Sequence, residues 1–319
     1  MNKYAPIALF TYNRADHTRQ AVESLLKNEE AAYSDLYIFS DGPKNDKAVE
    51  GVKANREYIL SLTVANDYHN EKRLFKSITI VEREKNWGLA KSLIAGITEI
   101  VNKYGRVIVV EDDLILSPYF LKFMNEALDK YADDDRVSAV SAFLNPIDSK
   151  APATFFLRYF ACWGWATWDR AWSLFNPNTK ELLKQIRWKT KDFNIGHGGG
   201  GGFYGMLYCQ KVGLVDSWAV RFYASSFLAN KLVIYPGKSL ALQSGMDGTG
   251  THSDNSPHKY DMMELSARPI SITDIPVCEN KEIFSAYARY YRGGKEKSIK
   301  FFYGQLKSFI RRLMGIDYR

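Results

Sequence analysis

Three consecutive carboxylates, Glu111, Asp112 and Asp113, stand directly after the apolar run Val107 to Val110 and before Leu114-Ile115-Leu116. Like charges this close repel, so something positive should sit among them. Hard oxygen ligands suit a divalent cation such as Mn²⁺ or Mg²⁺. The plain alternative is an acidic turn that ends a strand in water, and the apolar flanks weigh against it. Other stretches carry chemistry of their own. Thr11-Tyr12-Asn13-Arg14 offers an aromatic ring and a guanidinium, or is an ordinary helix start. Asp41 in Ser40-Asp41-Gly42-Pro43 is a binding acceptor or a turn residue. Asn86-Trp87-Gly88 opens a helix, where Gly88 permits close backbone approach and the N-terminus favours anions. Lys91 adds positive charge there, or is merely solvated. Asp216 precedes Ser217-Trp218 at a helix mouth, where an N-cap is the plain reading. Gln243 to His252 (QSGMDGTGTH) is Gly-rich, contains Asp247 and ends in a histidine that a surface position would also explain.

The elements that must position these residues follow from periodicity. Pro6–Thr11 and Val107–Val110 read as buried strands and Leu36–Phe39 and Ser77–Val81 as further strands, each followed by a turn signal or by polar and charged residues. Between the first three come helices from about Asp16 to Lys27 and up to about Leu62, then a polar loop from Asn66 to Arg73. A third helix runs from Asn86-Trp87-Gly88 to about Tyr104. Four strand–helix alternations predict a largely parallel sheet with right-handed crossovers and its loops gathered along one edge. A helix from Pro118 to about Tyr131 and strands at Val137–Phe143 and Leu232–Pro236 continue the pattern less regularly. Tyr159 to Trp172 holds Trp163, Trp165, Trp168 and Trp172, an aromatic group that is core by default. Trp163 or Trp165 could instead wall a sugar site.

The chain has 319 residues, 46% hydrophobic and 25% charged, enough for one large domain or two small ones. No apolar run is long enough to span a bilayer, and the N-terminal apolar run is too short for a signal-peptide core. Cys162, Cys209 and Cys278 are widely spaced, form no zinc pattern and suit a reducing compartment. The formal charge of +7 is carried by the stretch from Arg289 onward, with nine Lys/Arg against two acids; the rest is neutral, which argues against a nucleic-acid-binding body. Within that stretch, Ile299, Phe302, Leu306, Phe309, Ile310 and Leu313 form one helical stripe flanked by Lys300, Lys307, Arg311 and Arg312. This is a basic amphipathic helix for an anionic membrane surface, or a helix packed on the domain.

Strand-then-TYNR, strand-then-SDGP, NWGLAKSLIAGI and strand-then-EDDL, in this order, resemble nucleotide-sugar glycosyltransferases of the GT-A fold. The likeness is to bacterial family 2 enzymes and to the GlcNAc-transferase I type, whose acidic motif is also Glu-Asp-Asp. CWGWATW, VDSWAVRFYAS and DGTGTH extend it to about His252. The HGGGGG run, His197 to Gly202, is more glycine-rich than that pattern. The resemblance implies a donor pocket of Thr11, Tyr12, Asn13, Arg14, Asp41, Asn86, Gly88 and Lys91. There Tyr12 would stack on the base, Arg14 approach ribose or phosphate, and Asp41 accept N3–H of uracil. It puts Asp113 and His252 on Mn²⁺ or Mg²⁺, Asp112 near the ribose, and Glu111 on the donor sugar. Asp216 would be the general base of an inverting transfer, with Asp247 suited to metal or acceptor.

The expectation is therefore an α/β, GT-A (Rossmann-like) domain over residues 1–288, with a mostly parallel sheet and a less regular acceptor-side half, then a basic tail over 289–319. Its expected activity is hexosyl transfer from a nucleotide sugar, UDP first, to a saccharide acceptor of a bacterial surface polysaccharide carried on lipid. The expected location is cytoplasmic, peripheral on the inner face of the plasma membrane, with no nucleic-acid partner. Two other classes stay open. A nucleotidyltransferase that forms nucleotide sugars should show a Gly-rich, Arg-containing loop after the first strand, where this chain has Tyr12-Asn13-Arg14. A non-catalytic sugar- or membrane-binding relative should have lost at least one of Asp113, Asp216 and His252.

Overall fold

Apolar runs of five or six residues become strands covered on both faces, and the amphipathic segments between them become the covering helices. The computed structural model describes residues 3–68, 73–195, 202–245 and 263–292. In the first half β1 (Ile7–Thr11), α1 (Ala15–Leu26), β2 (Asp35–Ser40), α2 (Asp46–Tyr68), β3 (Ser77–Glu82), α3 (Leu89–Tyr104) and β4 (Arg106–Glu111) alternate. Then come β5 (Leu114–Leu116), α4 (Phe120–Lys130), β6 (Val137–Ser141), β7 (Thr154–Leu157) and β8 (Trp165–Trp168). The short α5 (Asp169–Trp172), α6 (Thr179–Ile186), α7 (Thr190–Phe193), α8 (Phe203–Lys211) and α9 (Trp218–Leu228) follow. β9 (Leu232–Pro236), β10 (Ala241–Gln243) and α10 (Lys281–Arg292) complete the described chain.

Eight strands form one sheet in the order β3-β2-β1-β4-β8-β6-β9-β7. β3, β2, β1 and β4 are parallel, as are β6 and β9; β8 and β7 run against their neighbours. β1 lies between β2 and β4, so the chain order reverses there, which is where open α/β sheets bind ligands. Register pairs Thr11 with Ser40 and Phe10 with Glu111, aligning three strand ends at this point. β5 and β10 form a separate antiparallel ribbon, with Leu114 opposite Gln243.

Two apolar layers cover the sheet. α3 closes over a stacked Phe10–Phe39 pair (5.0 Å), and its Gly96 admits that approach: a Cβ there would lie 2.8 Å from the Phe10 ring. The other face packs Leu9, Ile38, Ile108 and Val110 against Val22 and Leu25 of α1 and Met124 of α4. The aromatic group of the second half is core. Trp165 is fully buried against Phe160, Trp172, Trp218 and Phe222. It cannot wall a sugar site, because both faces of β8 are covered.

Two expectations are corrected, and one further strand is found. Asn66, Asp67 and Tyr68 are the last turn of α2, not loop, and the Asn66 side chain accepts the amide of Phe75 (2.9 Å), tying that turn to the start of β3. The WATW segment is a strand between β4 and β6, which the reading left unassigned. The boundary at 288 falls inside α10: Tyr287 is fully buried, and the Tyr291 hydroxyl pairs with that of Tyr159 (2.9 Å) and accepts from Asn145 Nδ2 (3.2 Å). The folded body thus reaches at least Tyr291, and the basic stripe of 295–314 lies outside the described residues. Among the described residues no helix is long and apolar enough to cross a membrane.

Replacing Trp165 by alanine should lower unfolding free energy by about 3–5 kcal/mol, read from denaturant midpoints, whereas a loss below about 1 kcal/mol would contradict a core role.

Candidate active site

At the end of β4 the chain turns with its carboxylates inward. The Asp112 amide donates to the Phe10 carbonyl (3.1 Å), so the motif is stitched to β1 by backbone. Asp112 is buried, and its Oδ2 accepts the Tyr12 amide (3.3 Å). The positive charge that the triplet requires is Arg14. Its Nη2 donates to Asp112 Oδ1 (2.7 Å) and to Asp113 Oδ2 (2.8 Å). Its Nη1 is buried and has no hydrogen-bond partner among the described residues. Burial alone would lower the Arg14 pKa, but the two carboxylates outweigh it and hold the guanidinium above its usual range.

Glu111 is partly buried, and its side chain makes no hydrogen bond among the described residues. Desolvation, then the charges of Asp113 and Asp112, push its carboxyl up to about 8, with Arg14 opposing. Desolvation also pushes Asp112 up to about 6, again against Arg14. Cys162 borders the motif: burial first, then the charge of Glu111, raises its thiol.

The ribbon of β5 and β10 delivers the Gly-rich segment here. The Ser244 amide and hydroxyl both donate to the Asp113 carbonyl (2.8 and 3.0 Å). Gly245 follows, where a Cβ would stand 2.8 Å from Asp113 Oδ2 and 2.9 Å from Arg14 Nη1. Asp247 and His252 lie outside the described residues. Among the described residues no three His, Cys, Asp or Glu side chains are grouped to enclose a metal. A divalent ion fits only in company: hard oxygen from Asp113, a side-chain-free neighbour in Gly245, and further ligands from beyond the described set.

A second cluster sits at the ends of β2 and β3. Asp41 was expected to read uracil, but its carboxylate is fully used within the protein. Oδ1 accepts the amides of Gly42 (3.0 Å) and Trp87 (2.8 Å); Oδ2 accepts the Gly88 amide (2.9 Å) and Asn86 Nδ2 (3.0 Å). Four donors fill the four lone-pair directions of a carboxylate. Asp41 therefore holds the turn that starts α3, and Asn86 locks it further through the Gly42 carbonyl (2.8 Å). Lys91 is not merely solvated: its ammonium lies 4.5 Å from the Trp87 ring centre, and Arg83 lies 4.1 Å from it. The Thr11 hydroxyl accepts from Asn55 Nδ2 (3.0 Å), the Tyr12 hydroxyl accepts the Lys44 amide (3.0 Å), and Asn13 is half-buried beside them.

Asp216 is two-thirds exposed at the start of α9, where Arg221 Nη2 (3.0 Å) and Gln210 Nε2 (3.3 Å) donate to its Oδ1. The N-cap is Ser217, whose hydroxyl accepts the Val220 amide (3.3 Å). The described hydrogen-bond partners of Asp216 come from α8 (Gln210) and α9 (Arg221). Trp163 remains half-buried, edge-on to Phe143 at 4.4 Å. Sequence reading missed the Arg14 bridge, Cys162, the Ser244–Gly245 anchor and Arg83. The signal for Arg14 was available, because β1 and β4 had to be neighbours and Arg14 is a cation just beyond the end of β1.

The family model for the GNT-I family matches residues 1–181, more than half of the chain, spanning β1 through β8 and the acidic motif. The chain belongs to the GNT-I family. Its described sheet is of the mixed α/β kind, parallel through β3, β2, β1 and β4 and flanked by helices. Among solved structures it is similar to S. aureus TarS, at 11% identity and TM-score 0.40, covering 76% of this chain. It spans 37% of the TarS chain. It is also similar to a putative glucose-1-phosphate thymidylyltransferase from Bacillus anthracis in complex with a sucrose, at 11% identity and TM-score 0.31, covering 55% of this chain and 75% of that one. No curated protein matches the chain.

Replacing Arg14 by alanine leaves the buried Asp112 and the partly buried Asp113 without their cation and should destabilise the protein by about 3 kcal/mol in chemical denaturation. Arg14→Lys should recover only part of this, since a point charge cannot hold both oxygens with a planar fork.

Proposed function

We propose that this GNT-I family protein moves a hexose from a UDP-sugar to a hydroxyl of a saccharide acceptor, with inversion, using Mn²⁺ or Mg²⁺. The observation that carries the reading is the acidic motif at the sheet's switch point, where Asp113 faces the bare backbone of Gly245. The donor lies across the ends of β1, β2 and β4. Tyr12 offers its ring to the base, and the unpartnered Nη1 of Arg14 donates to a ribose or diphosphate oxygen. Asp41, Asn86 and Gly88 act on the pocket by fixing its wall. Glu111 orients the donor sugar, and Asp112 holds Arg14.

Asp113 and His252 hold the cation, which when bound supplies positive charge to the leaving diphosphate. Asp216 takes the proton of the acceptor hydroxyl as that oxygen bonds the anomeric carbon and the bond to the diphosphate breaks. Arg221 and Gln210 both donate to Oδ1 of Asp216, so Oδ2 is the oxygen that would take the proton. Trp163 and Asp247 belong to the acceptor side. The acceptor is a saccharide on a lipid carrier, in bacterial surface polysaccharide synthesis at the inner face of the membrane. That last assignment rests on the sequence resemblance and on the basic stripe of 295–314.

Binding and hydrolysis of UDP-, GDP-, dTDP- and CMP-sugars, with Mn²⁺ or with EDTA, test the donor and the metal together. One UDP-sugar should bind only with metal, and Asp113→Ala should lose it. Binding that survives both EDTA and the substitution would remove the metal from the reading. Asp216→Asn should reduce kcat by about 10²–10⁴-fold and leave donor affinity unchanged. A variant with normal turnover would pass the role of base to another carboxylate.

A further inference from the structure

The corner between α6 and α7 has a surface that neither the fold nor the donor site uses. α6 buries Leu182, Leu183 and Ile186, and α7 buries Phe193. Between them the chain turns outward and leaves Trp188 83% exposed, the most exposed large hydrophobic side chain among the described residues. Its one described ring contact is Arg187, 4.7 Å from the ring centre. Lys180, Lys184, Arg187, Lys189 and Lys191 surround it in sequence, all exposed and none in an ion pair among the described residues. Glu181 is the one acid between Lys180 and Lys191, and it is tied to the amides of Asn176 and Gln185. The neighbouring α8 adds exposed Tyr208 and Val212, with Lys211 set 5.8 Å from the Tyr208 ring.

We propose that this α6–α7 corner is a contact surface of the folded body for an anionic lipid bilayer. Folding normally finds cover for an indole, and a cluster of unpaired cations repels itself. Both features persist at low cost on a surface that meets a negative, half-apolar partner. Trp and Tyr beside Lys and Arg is the composition of a headgroup-level contact. Each cation near such a surface adds roughly 1 kcal/mol of attraction, which is about a fivefold gain in partitioning. A nucleic acid would also attract the charge, but it needs ring faces for stacking, and Arg187 covers one face of Trp188. Val212 also suits lipid and offers nothing to a phosphate backbone. The surface is distinct from the basic stripe of 295–314 and does not depend on the donor, metal or base assigned above. It also adjoins Asp216, to which Gln210 of α8 donates together with Arg221 of α9.

The test uses the full chain with vesicles of phosphatidylcholine alone or mixed with phosphatidylglycerol. The protein should sediment with the anionic vesicles, be released by salt, and ignore the neutral ones. The combined Lys184→Glu, Arg187→Glu and Lys189→Glu variant should lose about tenfold or more in partitioning, with donor binding and thermal melting unchanged. Brominated lipid mixed into the anionic vesicles should quench tryptophan emission of the wild type, and Trp188→Phe should lose that quenching even where binding through other segments persists. Sedimentation of the charge variant equal to wild type, or undiminished quenching in Trp188→Phe, would overturn the proposal. So would a wild-type chain that ignores both kinds of vesicle and binds a single-stranded oligonucleotide through the same residues.

Discussion

Two adjacent carboxylates at the end of a buried strand can turn inward only if a cation joins them. The bridge from Arg14 to Asp112 and Asp113 is that cation, and much of the first half of the chain is arranged to place it. β1 must run beside β4 so that the residue after its turn reaches the motif. α1 must begin at Ala15 so that Arg14 stands at its mouth. Gly245 must lack a side chain so that the ribbon of β5 and β10 can close over the pair. Glu111 stands outside the bridge: its side chain has no hydrogen bond among the described residues, and desolvation, then the charges of Asp113 and Asp112, push its carboxyl up to about 8.

Most of the first half was legible because one rule governed it. Strands covered on both faces are continuous apolar runs, and Ile7–Thr11, Asp35–Ser40 and Arg106–Glu111 fell within a residue or two of their predicted limits, as did the half-covered edge strand Ser77–Glu82. The second half obeyed a different rule. Trp165–Trp168 is a strand of aromatic and small residues inserted between β4 and β6, with no alternation and no flanking helix of ordinary length to announce it. Its antiparallel pairing is a long-range fact that local pattern cannot carry. α2 outran its predicted end because Asn66 caps the contact with Phe75 from within the helix, a tertiary use of a residue that usually signals a loop.

Site residues divided along a similar line. Residue type at a strand end was enough to find the acidic motif and the turns around it. It was not enough to say whether a polar group faces a ligand or its own backbone. Asp41 shows the difference: the same Asp-Gly-Pro turn suits a nucleobase acceptor and a structural hub, and only the four donors around it decide. Arg14 shows the converse, a residue chosen for phosphate whose strongest described contacts are to the carboxylates beside it. The stacking of Arg83 on Trp87 was not legible because a cation stacked on a ring has no sequence signature.

The double anchor of Ser244 on the Asp113 carbonyl has a further meaning. It makes the acidic motif the fixed origin from which the following segment is measured. His252 stands seven residues beyond Gly245, so an extended chain would carry it no farther than roughly 25 Å from that origin. The segment length is thus a ruler. One residue more or less between Gly245 and His252 alters what the histidine can reach without altering any strand of the sheet, so relatives with the same eight strands can differ in chemistry through the length of this one connection.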